Sequence, residues 1–477
     1  MALPNTHIGP EKIGQLLSGR KKIFFDGIGG ISMNSLAHIT KLMGHTVCGY
    51  DRTKSEITAK LEAMGITVYY TADEANAADC DALVYTVAMP NDNPEYVYAG
   101  EHHIPRISRA DYLGYIMTGF ERRIGVSGTH GKSTTTGMLA KILLAANVSP
   151  TVFNGAPMKE TGTVDIIGGR EYFAFEACEY MDSFLDFNPT TAVVLNIELD
   201  HVDYFKSIGQ IVESFRAFIG ITGRNGIAVL NNCDENCRLL YRDYPGQLVT
   251  FGRNDPDADY YSVNERERDG YPEFDIMKKG SDAIEAHITL KISGSHNISD
   301  ALAAYAAAVS NGISPESAAR GLCEYNGICR RMERLAELKS GAALYSDYAH
   351  HPTEIAATLN GAKHICRGKL NVVFQPHTFS RTADLFDGFV SAFADSPADE
   401  IVLCDIYPAR ETNIYGVTSD MLAEQISERG KKCSVRHTFE EAAEYLDSIS
   451  DDGDIALVMG AGDVIRVAEL LRDSSAK

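Results

Sequence analysis

The chain has 477 residues, which at about 150 residues per domain predicts three domains, and its 44 Lys+Arg against 65 Asp+Glu leave a formal net charge of −21. With 44% of residues aliphatic, aromatic or Cys and 23% charged, it can bury ordinary cores, which excludes a disordered protein. The acidic balance also excludes a general nucleic-acid binder, which needs a basic face, but it leaves room for a local anion site.

The amino terminus, MALPNTHIGPEKIG, lacks the apolar segment of a signal peptide, and no apolar run approaches the ~18–20 residues of a membrane span. A cytoplasmic protein without membrane contact is expected. Ten cysteines are too sparse for a disulfide scaffold, and Cys233 and Cys237 have no second pair at zinc spacing, so free thiols are expected.

Residues 21–25 are a short apolar run of the kind that forms a buried parallel strand. The glycine turn Gly27-Ile28-Gly29-Gly30 follows, then a helical pattern through Met33, Leu36, Ala37, Ile39 and Leu42 that Gly44 stops. Residues 45–50, 67–70 and 82–87 read as further strands, and this alternation predicts a parallel sheet with helices on both faces. A second alternation opens with a strand at 122–127, a second glycine turn and a helix over about 132–147. Strands recur at 172–176, 192–196 and 227–230; the polar stretch 253–280 is expected to be irregular or an antiparallel insert, and 298–309 an Ala-rich helix. The third alternation has strands expected at 343–346, 370–374, 400–403 and 455–459. Domains are therefore expected over 1–119, 120–329 and 330–477.

The strongest local signal is Gly128-Thr129-His130-Gly131-Lys132-Ser133-Thr134, between an apolar strand and a helix. Two glycines let the backbone N–H groups curl inward at a helix N-terminus, where unpaired donors and the helix dipole favour phosphate. Lys132 would neutralise the phosphates of ATP and the Ser133 hydroxyl would hold Mg²⁺. The loop is a variant, with Val126 where the usual spacing places the first Gly.

The first glycine turn is a weaker signal, because Ser32 stands where a dinucleotide fingerprint has its third Gly. Asp51, 24 residues after Gly27, occupies the place of a ribose-binding acid. On the residues alone the turn admits a nicotinamide cofactor, another pyrophosphate-bearing nucleotide, or no ligand.

Glu176-Ala177-Cys178-Glu179 and Asn196-Ile197-Glu198-Leu199-Asp200-His201-Val202-Asp203 each follow a predicted strand. Ligands gather at the carboxyl ends of parallel strands, so both clusters can face the phosphate loop and carry Mg²⁺. Asn297 heads the Ala-rich helix, where it can equally be an N-cap. Asp347-Tyr348-Ala349-His350-His351-Pro352 and Gln375-Pro376-His377-Thr378-Phe379-Ser380-Arg381 also follow strands, and suggest a site for anions and a carboxylate.

The order GIGGISM, GTHGKSTTT, EACE, NIELDHVDYF, SHNISDA, CRRME, DYAHHPTEI and FQPHTFSRT resembles the Mur ligases along the whole chain, and within that family the branch that adds alanine. The resemblance implies an α/β protein of three domains: N-terminal Rossmann-like, central P-loop ATPase-like with a parallel sheet, and C-terminal Rossmann-like. It implies ATP-dependent joining of L-alanine to UDP-N-acetylmuramate through an acyl phosphate, in peptidoglycan precursor synthesis, by a monomer or homodimer. By the match, Gly27, Ile28, Gly29, Gly30, Ile31 and Asp51 hold the uridine diphosphate, with Thr86 nearby. Gly128, Thr129, His130, Gly131, Lys132, Ser133 and Thr134 bind ATP, with Asn297 and Arg331 on adenine and ribose. Ser133, Glu176 and His201 serve magnesium; Asp347, His350, His377 and Arg381 face the γ-phosphate and the amino acid, Arg381 meeting its carboxylate. Lys132, Glu176, His201, Asp347 and His350 form the implied catalytic set.

Three departures stand out. Cys178 replaces an Asp usual in the alanine branch, Asp300 replaces a common Asn, and Arg216 occupies the place where other members carry a carbamylated Lys. Three alternatives remain: a relative that joins a recycled tripeptide to the same sugar nucleotide, a nicotinamide-dependent oxidoreductase using the first glycine turn, and a nucleotide sensor without chemistry.

Overall fold

In the computed structural model, which describes residues 3–87, 89–201, 204–242, 244–409 and 411–475, three sheets follow one another along the chain. Val202 and Asp203, expected to close the cluster after the 192–196 strand, lie outside the described residues.

The first sheet contains β1 (Lys22–Asp26), β2 (Thr46–Tyr50), β3 (Thr67–Tyr69), β4 (Ala82–Tyr85) and β5 (Arg106–Ser108), in the order 3-2-1-4-5 and all parallel. Ile23, Phe24 and Phe25 are fully buried, because a central parallel strand is covered on both faces. That is why its sequence reads as a continuous apolar run without alternation.

The second sheet holds β6 (Arg122–Ser127), β7 (Thr151–Phe153), β8 (Asp165–Ile166), β9 (Tyr172–Glu176), β10 (Thr191–Val194), β11 (Ile227–Asn231), β12 (Gln247–Arg253), β13 (Tyr260–Arg268), β14 (Tyr271–Lys278) and β15 (Ile284–Thr289). Its order is 15-14-13-12-11-10-6-9-7-8, which sets β6 between β10 and β9 in the parallel part. The stretch 253–280 resolves into its antiparallel alternative, with β13 pairing β14 and β14 pairing β15. The helix Lys132–Ala145 packs on the buried Ala-rich helix Asn297–Ser310.

The third sheet has β16 (Glu333–Glu337), β17 (Ala343–Asp347), β18 (Leu370–Phe374), β19 (Glu400–Cys404), β20 (Cys433–Arg436) and β21 (Ile455–Met459), in the order 16-17-21-18-19-20. Only β16 runs antiparallel among these strands. One apolar cluster lies on each side, through Phe374 and Phe389 on one face and Val373 and Val467 on the other.

The two joints differ in chemistry. A single apolar cluster runs from the first sheet into the second, with Phe120 stacked on Phe173 at 4.7 Å between ring centroids. Between the second and third sheets the contacts include polar pairs: Thr353 Oγ1 donates to Glu198 Oε2 at 2.9 Å and Arg381 Nη2 to Asp200 Oδ1 at 3.2 Å.

Candidate active site

Because β10, β6 and β9 are neighbours, the loops that leave their carboxyl ends open along one edge. The loop after β6 turns at Gly128 (φ 140°) and Gly131 (φ 83°), where a side chain would be strained. A Cβ on Gly131 would also stand 2.5 Å from Asp300 Oδ1. The β10 loop braces this turn: His130 N donates to Asn196 Oδ1 at 2.8 Å, and Glu198 N to Thr129 Oγ1 at 2.9 Å.

Lys132 Nζ donates to Gly128 O at 2.5 Å and Thr129 O at 3.0 Å and pairs with Glu179 Oε2 at 3.1 Å. Burial alone would lower its pKa, but the carboxylates of Glu179 and Glu176 outweigh that and hold the ammonium charged. Ser133 Oγ donates to Glu176 Oε2 at 2.6 Å, and Gly155 N reaches the same oxygen at 2.9 Å. The His201 ring lies tilted against Tyr180 at 4.7 Å between centroids, and its Nε2 is 3.7 Å from Glu179 Oε1. Burial pushes the Cys178 thiol up to about 11, with Glu179 adding to the effect, so it stays protonated.

Two cavities flank the loop. One of about 340 Å³ is lined by Thr134, Asn297, Asp300 and Asp347 among others, and one of about 420 Å³ by Thr129, Lys132, Ser133, Glu176, His201 and His350 among others. His130, Gly131, Arg331 and Glu354 line both, so the two are sides of one cleft between the second and third domains.

From the third domain, Asp347 ends β17 and accepts from Ala349 N and Met332 N, each at 2.7 Å. Burial raises its pKa. His350 is pushed down to about 4 by burial, with Glu354 opposing and Arg381 assisting, so its ring is neutral. Arg331 Nη1 lies 3.6 Å from Glu354 Oε1. Asn297 is the first residue of the helix Asn297–Ser310, whose N-cap is His296, and its Nδ2 donates back to Ser293 O at 2.7 Å in the segment before it. His377 and Arg381 do not line either cavity. Arg381 Nη1 is 3.3 Å from His377 Nδ1, and its other end meets Asp200. His377 rests on Tyr407 and is pushed down to about 4 by burial and then by Arg381.

The first glycine turn is braced by Asp51, which accepts from Gly29 N at 2.9 Å and Thr53 N at 3.0 Å. A Cβ on Gly27 would stand 3.2 Å from Thr86 Cγ2, and Gly27 N and Ile28 N both donate to Tyr50 O. Gly30 caps the helix Ile31–Leu42, and within this set Ile31 reaches the larger cavity.

Sequence reasoning placed Glu179, Glu198, Asp200 and His351 in strand-end clusters without giving any of them a role of its own, and did not single out Glu354. Glu179 is three positions after Glu176, and Glu354 four after His350 on the first turn of the helix Pro352–Ile365. Those spacings were the available signal.

The chain matches three domain families: Mur ligase family, catalytic domain, at residues 22–121; Mur ligase middle domain at 126–308; and Mur ligase, glutamate ligase domain, at 330–462. A curated UDP-N-acetylmuramate–L-alanine ligase of Caldicellulosiruptor saccharolyticus is 43% identical over 454 residues, covering 95% of this chain and 99% of that protein. This chain belongs to the Mur ligase family. A ligase of the same name from Clostridium novyi is 41% identical to this Mur ligase, covering 96% of this chain and 99% of that one. The crystal structure of UDP-N-acetylmuramate-alanine ligase from Thermotoga maritima superposes with a TM-score of 0.79 at 28% identity, over 96% of this Mur ligase and all of that chain. The three-domain α/β architecture is thus that of the family.

Proposed function

We propose that this Mur ligase joins L-alanine to UDP-N-acetylmuramate with cleavage of ATP, in the synthesis of peptidoglycan precursors. The observation that carries the reading is the 43% identity with an L-alanine ligase across 95% of the chain. The phosphate loop supports ATP as the energy source, since a charged Lys132 with 13% of its side chain exposed and two glycine-shaped turns stand at a helix N-terminus.

The reaction class runs in two steps. The sugar carboxylate takes the γ-phosphoryl group to give an acyl phosphate and ADP. The amine of alanine then attacks the acyl carbon, loses a proton, and phosphate leaves. Lys132 holds positive charge where the phosphates bind, and Arg381 offers a guanidinium for the alanine carboxylate. The residues fit Mg²⁺: the Ser133 hydroxyl and Glu176 carboxylate, 2.6 Å apart, offer hard oxygen donors beside Lys132, and His201 lines the same cavity. When bound, Mg²⁺ neutralises phosphate charge. We assign Asp347 and His350 to the γ-phosphate from the third-domain side of the cleft; His350 lines the cavity of Lys132 and Ser133, and Asp347 the one that Asn297 lines. We assign the sugar nucleotide to 1–119 through the Asp51-braced turn, ATP to 120–329 with Asn297 and Arg331 at the nucleoside, and the amino acid to 330–477. No helix among the described residues is long and apolar enough to cross a membrane, and we place the enzyme in the cytoplasm as a monomer or homodimer.

Phosphate release measured with UDP-N-acetylmuramate, ATP and a panel of L-alanine, L-serine, glycine and the muramyl tripeptide tests the reading. Turnover is expected with L-alanine; activity only with the tripeptide defeats it. In Lys132→Ala, acyl-phosphate formation should fall at least ~100-fold while UDP-N-acetylmuramate still binds. Near-normal ligation would remove Lys132 from its role.

A further inference from the structure

Three side chains from separate segments meet where the third domain faces the phosphate loop: His130 in that loop, Glu198 after β10, and His351 at the N-cap of the helix Pro352–Ile365. One potential ligand atom from each lies within 4.8 Å of the others. His130 Nε2 is 3.4 Å from Glu198 Oε2 and its Nδ1 is 3.4 Å from Glu354 Oε1, both too long for good hydrogen bonds. His351 is 6% exposed, and its Nε2 is buried without a partner. The two imidazole rings are 4.8 Å apart between centroids.

We propose that His130, Glu198 and His351 form a site for a divalent transition-metal ion of the zinc or cobalt type, separate from the Ser133–Glu176 magnesium pair. Two imidazoles and one carboxylate are donors that Zn²⁺ takes readily, whereas Mg²⁺ keeps to oxygen. Bonds of ~2.1 Å place tetrahedral donors about 3.4 Å apart, so the His130–Glu198 pair already has the spacing and the rest closes by roughly 1 Å of side-chain rotation. Glu354 behind His130 Nδ1 fixes which nitrogen faces the ion, as carboxylates behind metal-binding histidines do. His351 gives something up: its Nδ1 accepts from Thr353 N at 3.3 Å, and a metal on Nε2 puts the proton on Nδ1 and breaks that long cap. Since the donors come from two domains, a bound ion ties the third domain to the phosphate loop and opposes ATP entry.

Titration of the full chain with Co²⁺, read by visible absorption, and with Zn²⁺, read by calorimetry, tests the site. One equivalent of tetrahedral Co²⁺ displaced by Zn²⁺ is expected. Zn²⁺ affinity should fall at least ~tenfold in any two of His130→Asn, His351→Asn and Glu198→Gln, while Glu176→Gln keeps the spectrum. Thermal melts without metal check that each variant is folded; Glu198→Gln retains an acceptor for the Thr353 hydroxyl. No visible band, a tenfold loss in fewer than two variants, or loss of the band in Glu176→Gln overturns the proposal.

Discussion

Arg381 and Asp200 form an ion pair at 3.2 Å across the domain joint, with 12% and 11% of their side chains exposed. Arg381 holds Asp200 below the usual carboxylate range against the opposing effect of burial, and His201 assists. On the proposed assignment, an incoming alanine carboxylate would replace Asp200 on that guanidinium. A charge-assisted bond contributes ~1.5–3 kcal/mol, so Arg381→Ala should raise the KM for L-alanine roughly 10- to 100-fold and that for ATP far less. An unchanged KM for L-alanine removes Arg381 from the amino-acid site. Asp300 makes a prediction about stability. Burial pushes its pKa from 3.8 up to about 7, so between those values the folded state binds a proton that the unfolded chain has lost. The sign follows: this group's contribution falls as pH rises through that window. Asp300→Asn removes the fall, and urea unfolding at pH 5 and 8 should show a pH-dependent loss smaller by up to ~3 kcal/mol than in the parent. Identical pH dependence in both proteins would show that Asp300 is not buried as a neutral acid.

The strand–loop–helix element from β6 into the helix Lys132–Ala145 was legible in the sequence, because apolar run, glycines and Lys132 are local features. Gly131 adds what only packing shows: φ 83° and a Cβ position 2.5 Å from Asp300 Oδ1. Gly131→Ala should therefore destabilise the chain by ~1–2 kcal/mol and raise the KM for ATP; a variant with unchanged melting temperature and ATP kinetics would mean the turn adapts freely. Other elements left weaker traces. β5, β7 and β8 have three, three and two residues and left no reading in the sequence, whereas β3, also of three, was legible because Thr67-Val68-Tyr69 is a β-branched and aromatic run. β13 has exposed charges along its second half, which hid a strand inside an acidic stretch. By contrast β1, β9, β18 and β21 are buried along nearly their whole length, so burial and sequence agree.

At the scale of the molecule, the two joints should behave differently. The first is a continuous apolar core and separates only by exposing it to water. The second lacks such a shared apolar cluster among the described residues and includes the Thr353–Glu198, Arg381–Asp200 and His130–Glu354 contacts, which can exchange partners with ligands and water. Dye pairs across each joint should report a distance change on adding ATP and UDP-N-acetylmuramate only at the second joint. Equal changes at both would contradict this division of the chain.

By itself the sequence determined three α/β alternations, the glycine loop between β6 and the helix Lys132–Ala145, and the motif order by which the chain resembles its family. Each of those signals is local, carried by glycine placement, apolar runs or short spacings. Only the tertiary structure decided that Lys132 pairs with Glu179, that Asp51 braces a turn, that Arg381 meets Asp200, and that His130 faces His351. Those partners lie 22 to 221 positions apart in the chain, and no periodicity reports on residues that folding alone brings together.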